Sequence, residues 1–243
     1  MSGVLSRLLR ASLWLFLVQA VLGGLWWALL VTPEANLLML GASAALVLLL
    51  LAVASVALAG TVGIWYGDGL LAGLRRPGRA VIAGLMAAFL LHAVVFLSEV
   101  AFHRLMADEA GISAALIART GWADATPLFR AADWLATWLR WVVAPLVACS
   151  AFAAWHSGGP GGLAGAGWLR RALSPFALLT ATAAVYLLVY WPWQWLEWRP
   201  ASLPPTWVEP AAAAAKLAAI LLAMSAAWAL VVRVAARPRP ATT

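Results

Sequence analysis

The chain has 243 residues, of which 65% are hydrophobic and only 10% are charged. A soluble domain carries about 25% charged residues, so this composition excludes an ordinary soluble fold. The net charge of +7 does not indicate a nucleic-acid partner, because the arginines stand beside long apolar runs, where anionic lipid headgroups are the simpler partner.

Six apolar runs follow one another along the chain, and each approaches the roughly 20 residues that a helix needs to cross a bilayer. They are rich in Leu and Ala and do not alternate with polar residues, which favours helices over a closed barrel. The first run follows Arg7 and Arg10, but it is too long for a signal peptide and is interpreted as a retained helix. The sequence therefore predicts an all-α, polytopic integral membrane protein, a single six-helix transmembrane bundle over residues 1–243 without a soluble domain. The spans are expected at about 11–31, 37–65, 80–102, 134–155, 175–195 and 211–235.

Arginines mark one side of this six-span arrangement. They occupy the first, third, fifth and last flanking segments: Arg7, Arg10, Arg75, Arg76, Arg79, Arg170, Arg171, Arg237 and Arg239. The short turn at 32–36 on the opposite side has neither Lys nor Arg. The positive-inside rule therefore predicts that both termini are cytoplasmic. The abundance of Arg, Ala and Gly points to a bacterial protein, and hence to the cytoplasmic (inner) membrane.

Two further patterns concern packing. Ser55, Ala59 and Gly63 repeat at intervals of four in the second span and predict a ridge of small residues suited to close helix contact. The segment 108–119, DEAGISAALIAR, predicts a short amphipathic helix between spans three and four.

The stretch 190–200 reads YWPWQWLEWRP and lies at the outer end of the fifth span. Trp and Tyr prefer this interface, so the favoured interpretation is an aromatic belt; an aromatic wall that lines a ligand site is the alternative. Pro192 is expected to kink the helix, 199–210 is expected to be irregular, and 203–210 is expected to fold back over the bundle mouth. The aromatic rim of this mouth is assigned to four residues: Trp191, Trp195, Trp198 and Trp207.

Ionisable residues from several spans fall at the same outer level. This candidate site for a ligand or partner comprises eight residues: His92, Glu99, His103, Arg140, Glu197, Arg199, Glu209 and Lys216. Charges inside a spanning segment are costly and usually face the bundle interior. Arg140 and Lys216 have an alternative, because long basic side chains can reach the headgroups. If Glu99 is paired in a truly buried site, removing it is expected to cost about 3–5 kcal/mol.

Catalytic and metal-binding patterns are weak. Glu99 and His103 are close enough on one helix to share an ion, whereas His92 lies about 10 Å from Glu99 along the axis. Two ligands from one helix are a weak signal, and there is neither an HExxH nor a GxSxG motif. The glycine-rich segment 158–167 lacks the Gly-Lys-Ser/Thr of a phosphate loop. No catalytic residue, metal or cofactor is therefore assigned.

Three classes of function remain open on the sequence. The favoured one is a non-enzymatic accessory protein or complex subunit with an outward-facing polar and aromatic pocket for a partner or a lipid headgroup. Its expected partners are membrane lipids and other membrane protein subunits. The alternatives are a small-solute or lipid transporter and a membrane-embedded enzyme that uses the Glu99/His cluster. The near absence of ionisable groups from the cytoplasmic halves of the spans counts against an ion path.

Overall fold

A computed structural model describes residues 2–33, 36–67, 69–121, 124–195 and 208–236. Within these residues, all regular structure is helical. Six helices are long and apolar enough to span a membrane. In chain order, helices one to six are Ser2–Val31, Leu37–Tyr66, Pro77–Ala107, Thr126–Leu163, Pro175–Gln194 and Val208–Ala235. The predicted all-α class and number of long helices are confirmed.

Three short helices connect the long ones. A linker helix, Leu70–Leu74, joins helices two and three, and an inner helix, Gly167–Ala172, joins helices four and five. The predicted amphipathic segment forms an outer helix, Glu109–Thr120, none of whose residues is buried.

Several predicted boundaries are corrected by the structure. Helix three continues to Ala107, and helix four begins at Thr126, well before the predicted start at residue 134. Helix six begins at Val208, so the prediction that 199–210 is irregular is wrong for its last three residues. Pro210 is tolerated there because the N–H groups of a first helical turn have no acceptor within the helix. The rest of that segment, 199–207, lies outside the described residues.

Two π-helical turns interrupt the long helices, Leu139–Val143 in helix four and Tyr186–Tyr190 in helix five. Each ends two residues before a proline, Pro145 or Pro192. A proline ring clashes with the carbonyl of the fourth residue before it, and the wider π turn leaves room for that ring. The irregularity predicted at Pro192 therefore takes the form of a wide turn just before the proline, and helix five ends at Gln194.

The N-terminal part of helix one and the C-terminal ends of helices two and six meet at one end of the bundle. Arg7 Nη1 donates a 2.9 Å hydrogen bond to the carbonyl of Trp65. The indole Nε1 of Trp65 donates in turn to the Ala229 carbonyl, also at 2.9 Å. The Tyr66 hydroxyl donates to the carbonyl of Arg233. Helix one thus begins where helices two and six end, and we call this the basic end.

Glycine permits very close contact near the basic end. A Cβ atom added to Gly73 of the linker helix would stand 1.9 Å from the Ala59 carbonyl oxygen, and one added to Gly63 would stand 2.5 Å from the Gly73 nitrogen. A Cβ atom at Gly84 of helix three would meet Ser55 Oγ at 1.7 Å. The predicted ridge of Ser55, Ala59 and Gly63 is therefore a contact surface, against which the linker helix and helix three pack.

Burial is concentrated in the half of the bundle nearest the basic end. Four of the largest fully buried apolar side chains lie there, Phe152, Leu146, Val231 and Val232, and a fifth, Ile220, lies near the middle of helix six. In the other half, no described residue is buried in 19–31 of helix one, 88–107 of helix three or 208–219 of helix six. Ser43 is the one buried residue in 37–54 of helix two. We call the two parts the basic half and the open half.

The contact at Gly73 is expected to be essential to the basic half. Gly73→Ala places a methyl group against the Ala59 carbonyl and should lower the unfolding free energy by about 1–3 kcal/mol, as overpacking does. The melting temperature in mild detergent measures the loss.

Gly78→Ala is the matched control, because a Cβ atom at Gly78 meets nothing within 4 Å. Gly78 lies in the first turn of helix three, so this change should be neutral or stabilising by up to about 1 kcal/mol. Equal melting temperatures for the two variants would contradict the role assigned to Gly73.

Candidate functional site

An ion pair joins helices three and four in the open half. Arg140 Nη2 donates to Oε1 of Glu99, and the two side chains are 37% and 33% exposed, respectively. Arg140 comes from the π turn of helix four, and its Nε atom is buried without a hydrogen-bond partner among the described residues. The pairing that the sequence analysis expected for Glu99 is therefore present, with Arg140 as the partner.

His103 extends this pair toward the surface. It lies one helical turn beyond Glu99, and its Nε2 atom is 3.6 Å from Glu99 Oε2. The separation is too long for a strong hydrogen bond, so the contact stabilises mainly when the imidazole is protonated. The imidazole is 76% exposed, so it presents donors and acceptors outside the ion pair.

Partial exposure lowers the energy that the pair contributes. A fully exposed ion pair is worth about 0–1 kcal/mol, whereas breaking a buried pair costs about 3–5 kcal/mol. Because both side chains are about one-third exposed, the cost of removing one partner lies between these limits, at about 1–2 kcal/mol. The larger cost of about 3–5 kcal/mol, which was conditional on a truly buried site, therefore does not apply to this pair.

Three other predicted members of the site lie among the described residues. His92 is exposed and lies seven residues before Glu99, about 10 Å along helix three. Glu209 and Lys216 are half-buried in the first turns of helix six. Glu197 and Arg199 lie outside the described residues. The structure thus brings together Glu99, His103 and Arg140 of the eight.

Two members of the predicted aromatic rim are described, and both are exposed. Trp191 and Trp195 form an edge-to-face pair, with their ring centroids 5.1 Å apart. Trp198 and Trp207 lie outside the described residues. Exposed rings near a helix end are typical of an interfacial belt.

The sequence analysis missed a second tryptophan role. Trp138 Nε1 donates a 2.9 Å hydrogen bond to Thr182 Oγ1 and thereby links helices four and five beside the π turns. Trp134, Trp138 and Trp141 have the spacing of one helix face, but spacing alone does not identify the hydroxyl partner.

An exposed ridge on helix one was also missed. Ala20, Gly24 and Ala28 repeat at intervals of four; the first two are exposed, and the third is half-buried. A Cβ atom at Gly24 would meet nothing within 4 Å. This is the same spacing as the ridge on helix two, so the sequence signal was present. Here, however, no described residue packs against Gly24.

Metal-binding and nucleophilic arrangements are not found in the described part of the chain. It contains no group of three or more His, Cys, Asp and Glu residues that could hold a metal ion. Cys149 is buried in helix four. His156 stacks on the Phe152 ring, with the centroids 5.6 Å apart, and so has a packing role.

Comparisons with family models, with curated proteins and with solved structures find no match for this chain. Its function must therefore be argued from its own residues.

Glu99→Gln should lower the unfolding free energy by about 1–2 kcal/mol, because it leaves the Arg140 guanidinium with a neutral acceptor in a partly desolvated place. Thermal melting in detergent measures the change. Glu109→Gln is the control, because Glu109 is an exposed carboxylate of the outer helix; it should shift stability by less than about 0.5 kcal/mol.

A double-mutant cycle separates the ion pair from other effects. Arg140→Gln combined with Glu99→Gln should cost less than the sum of the two single changes, since the second change no longer breaks a pair. Strict additivity would show that the two residues act independently.

Proposed function

We propose that this chain is an integral protein of a bacterial cytoplasmic membrane, with both termini in the cytoplasm. In this proposal it is a non-enzymatic accessory subunit whose open half, on the outer side, binds a membrane-protein partner. A lipid headgroup is the alternative occupant of the same half.

The distribution of charge supports this orientation. Ten of the sixteen Lys and Arg residues fall in the sequence segments 1–10, 67–79, 159–174 and 233–243, which begin, connect or end the helices on the side of the basic end. Of the nine acidic residues, only Asp68 falls in these segments. The positive-inside rule assigns such an end to the cytoplasm. The outer side then receives most of the acidic residues, including Glu99.

The single observation that carries the subunit proposal is the one-sided packing. Helices one, two, three and six contribute buried residues near the basic end and almost none in the open half. A bundle that were complete by itself would pack its helices along more of their length. The unpacked faces supply the surface on which a partner's helices would rest.

The exposed ridge of Ala20, Gly24 and Ala28 indicates how a partner would bind. Small residues at intervals of four allow two helix backbones to approach closely within a membrane. In helix two, an equivalent ridge is covered by elements of this chain, and its Gly63 closely approaches Gly73. The ridge on helix one lacks such a cover in the described residues, and a partner helix would provide it.

The ion pair would provide polar recognition beside this apolar surface. Glu99 and Arg140 hold each other in place between two helices, and His103 adds an exposed imidazole. A carboxylate and a guanidinium fixed in this way can exchange hydrogen bonds with polar groups of a partner at low entropic cost.

The two alternatives have less support. A transporter needs a path through the whole bundle, and the basic half is packed with fully buried side chains such as Phe152, Leu146 and Val231. An enzyme needs a nucleophile, a metal or an acid/base set. The described residues offer Glu99 and His103, of which the latter is mostly exposed.

Cysteine labelling tests the orientation. Cys149 is buried, and replacing it with Ala gives a background without thiols. Ala201→Cys, between helices five and six, should react with an impermeant maleimide added to intact cells. Ala164→Cys, in the exposed turn after helix four, should react only after the membrane is opened. The reverse pattern would place the open half in the cytoplasm and defeat the proposal.

Gly24→Leu tests the partner surface, because it fills the exposed ridge without touching the packed half. It should abolish co-purification of a stoichiometric partner in mild detergent while leaving the melting temperature of the isolated chain unchanged. Gly3→Leu is the matched control, because Gly3 lies in the same helix at the basic end and a Cβ atom there also meets nothing within 4 Å.

The native mass of the purified assembly shows whether the partner is retained. A partner retained by Gly3→Leu and lost from Gly24→Leu supports the proposed interface. Equal retention by both variants, or a wild-type chain that purifies from its own membrane without any stoichiometric partner, would contradict it.

A further inference from the structure

A cavity of about 330 Å³ lies at the basic end, away from the ion pair and the exposed ridge. Tyr66 of helix two and Ala235 of helix six form one side of it. Ser157 and Gly162, in the last turns of helix four, form another side, and Arg171 of the inner helix contributes the charged group. The cavity is therefore enclosed by four separate elements of the bundle.

Close contacts fix the walls of this cavity. A Cβ atom at Gly162 would stand 1.9 Å from the Ala154 carbonyl oxygen. The last turn of helix four, which contains Gly162, therefore packs closely against the preceding part of the same helix. Ser150 Oγ donates a 2.8 Å hydrogen bond to the carbonyl of Trp168 and fastens the inner helix to helix four. Arg171, three residues beyond Trp168 and half-buried, is thus held at the cavity by a supported backbone.

The hydroxyl groups in the cavity wall donate their protons to backbone carbonyls. The Tyr66 hydroxyl donates to the Arg233 carbonyl, and Ser157 Oγ donates to the Ala153 carbonyl at 2.8 Å. The charged donor in the cavity wall is the Arg171 guanidinium, whose several N–H groups form a planar fork that matches phosphate oxygens. Much of the remaining wall is alkyl: Val62, Ala153, Ala154, Ala235 and Ala236. One cationic group in an apolar wall suits an amphiphile with a phosphate group.

Neighbouring arginines raise the positive potential around this site. The Arg233 guanidinium lies 5.0 Å from the centre of the Trp65 ring, and Arg7 is bonded to the Trp65 carbonyl. Both therefore surround the end of helix two, next to Tyr66. Basic pockets between membrane helices on the cytoplasmic side are places where anionic lipid headgroups bind.

We propose that this cavity binds the phosphate group of an anionic phospholipid, with Arg171 as the principal ligand and the alanine and valine wall against the glycerol and upper acyl chain. Free phosphate shares the headgroup's chemistry, and the experiment below distinguishes the two sources. The proposal does not depend on the partner surface in the open half.

The test compares two adjacent arginines in the delipidated full-length chain. Arg171 lines the cavity, whereas Arg170 is exposed and does not line it, so Arg171→Gln and Arg170→Gln remove the same charge from the same short helix. Short-chain phosphatidylglycerol is titrated into detergent solution while the melting temperature and the bound-lipid mass are recorded. Arg171→Gln should weaken the apparent affinity about tenfold or more, and Arg170→Gln about twofold or less.

Separate arms identify the source of the phosphate. Short-chain phosphatidylcholine should give a much smaller stabilisation than phosphatidylglycerol. Inorganic phosphate should give none at the same concentration. If inorganic phosphate instead stabilises the wild type and the effect is lost in Arg171→Gln, the site stands and its ligand is free phosphate.

A second variant preserves the test if Arg171→Gln fails to fold. Ala236→Leu fills the cavity without changing any charge and should also abolish the response to phosphatidylglycerol. An equal loss in the Arg170 and Arg171 variants would show general attraction to a basic surface and overturn the proposal. So would an unchanged response in Ala236→Leu.

Discussion

Within a bilayer, lipid tails are as apolar as leucine, so helices associate according to how closely their backbones can pack. In this chain such close approaches occur at Gly73, against the Ala59 carbonyl and Gly63, and at Gly84, against Ser55. These contacts fasten the linker helix and helix three to helix two at the basic end. The buried interior extends from them. Further along helix two the exposed residues are mainly bulky, including Leu37 and Leu38, and Ser43 is the one buried residue in 37–54.

This asymmetry separates two polar sites that differ in their surrounding charge. At the basic end, packed elements enclose a small cavity around Arg171, and the surrounding charge is almost entirely positive. In the open half, Glu99 and Arg140 neutralise each other on a surface that is not enclosed. A partly exposed pair of this kind adds little stability. The ion pair is therefore better suited to recognition of the proposed partner than to stabilisation of the fold.

Hydropathy predicted the six helices because each must satisfy its own backbone and shield it with apolar side chains. It placed the start of helix four too late because the residues around Thr126 are helical yet polar. The Glu99–Arg140 pair was partly predictable, since charges within apolar segments need partners. The choice of Arg140 as the partner was not, because spacing along one helix does not determine the register between helices. The π turns have no comparable sequence signal beyond the prolines that follow them.

Burial in helices four and five is denser on the basic side of these π turns than beyond them, where Phe129, Ala136 and Pro192 are still buried. In helix four, the turn Leu139–Val143 comes immediately before the unbroken buried run that begins at Ala144. In helix five, the last buried residue before the turn Tyr186–Tyr190 is Ala184. A wide turn rotates the side chains that follow it about the helix axis. The helix can therefore direct apolar residues toward the core before the turn and a different set of residues toward the same neighbours after it. Arg140 lies within such a turn. The ion pair is thus found where packing ends, which is where a charge is both tolerated and accessible.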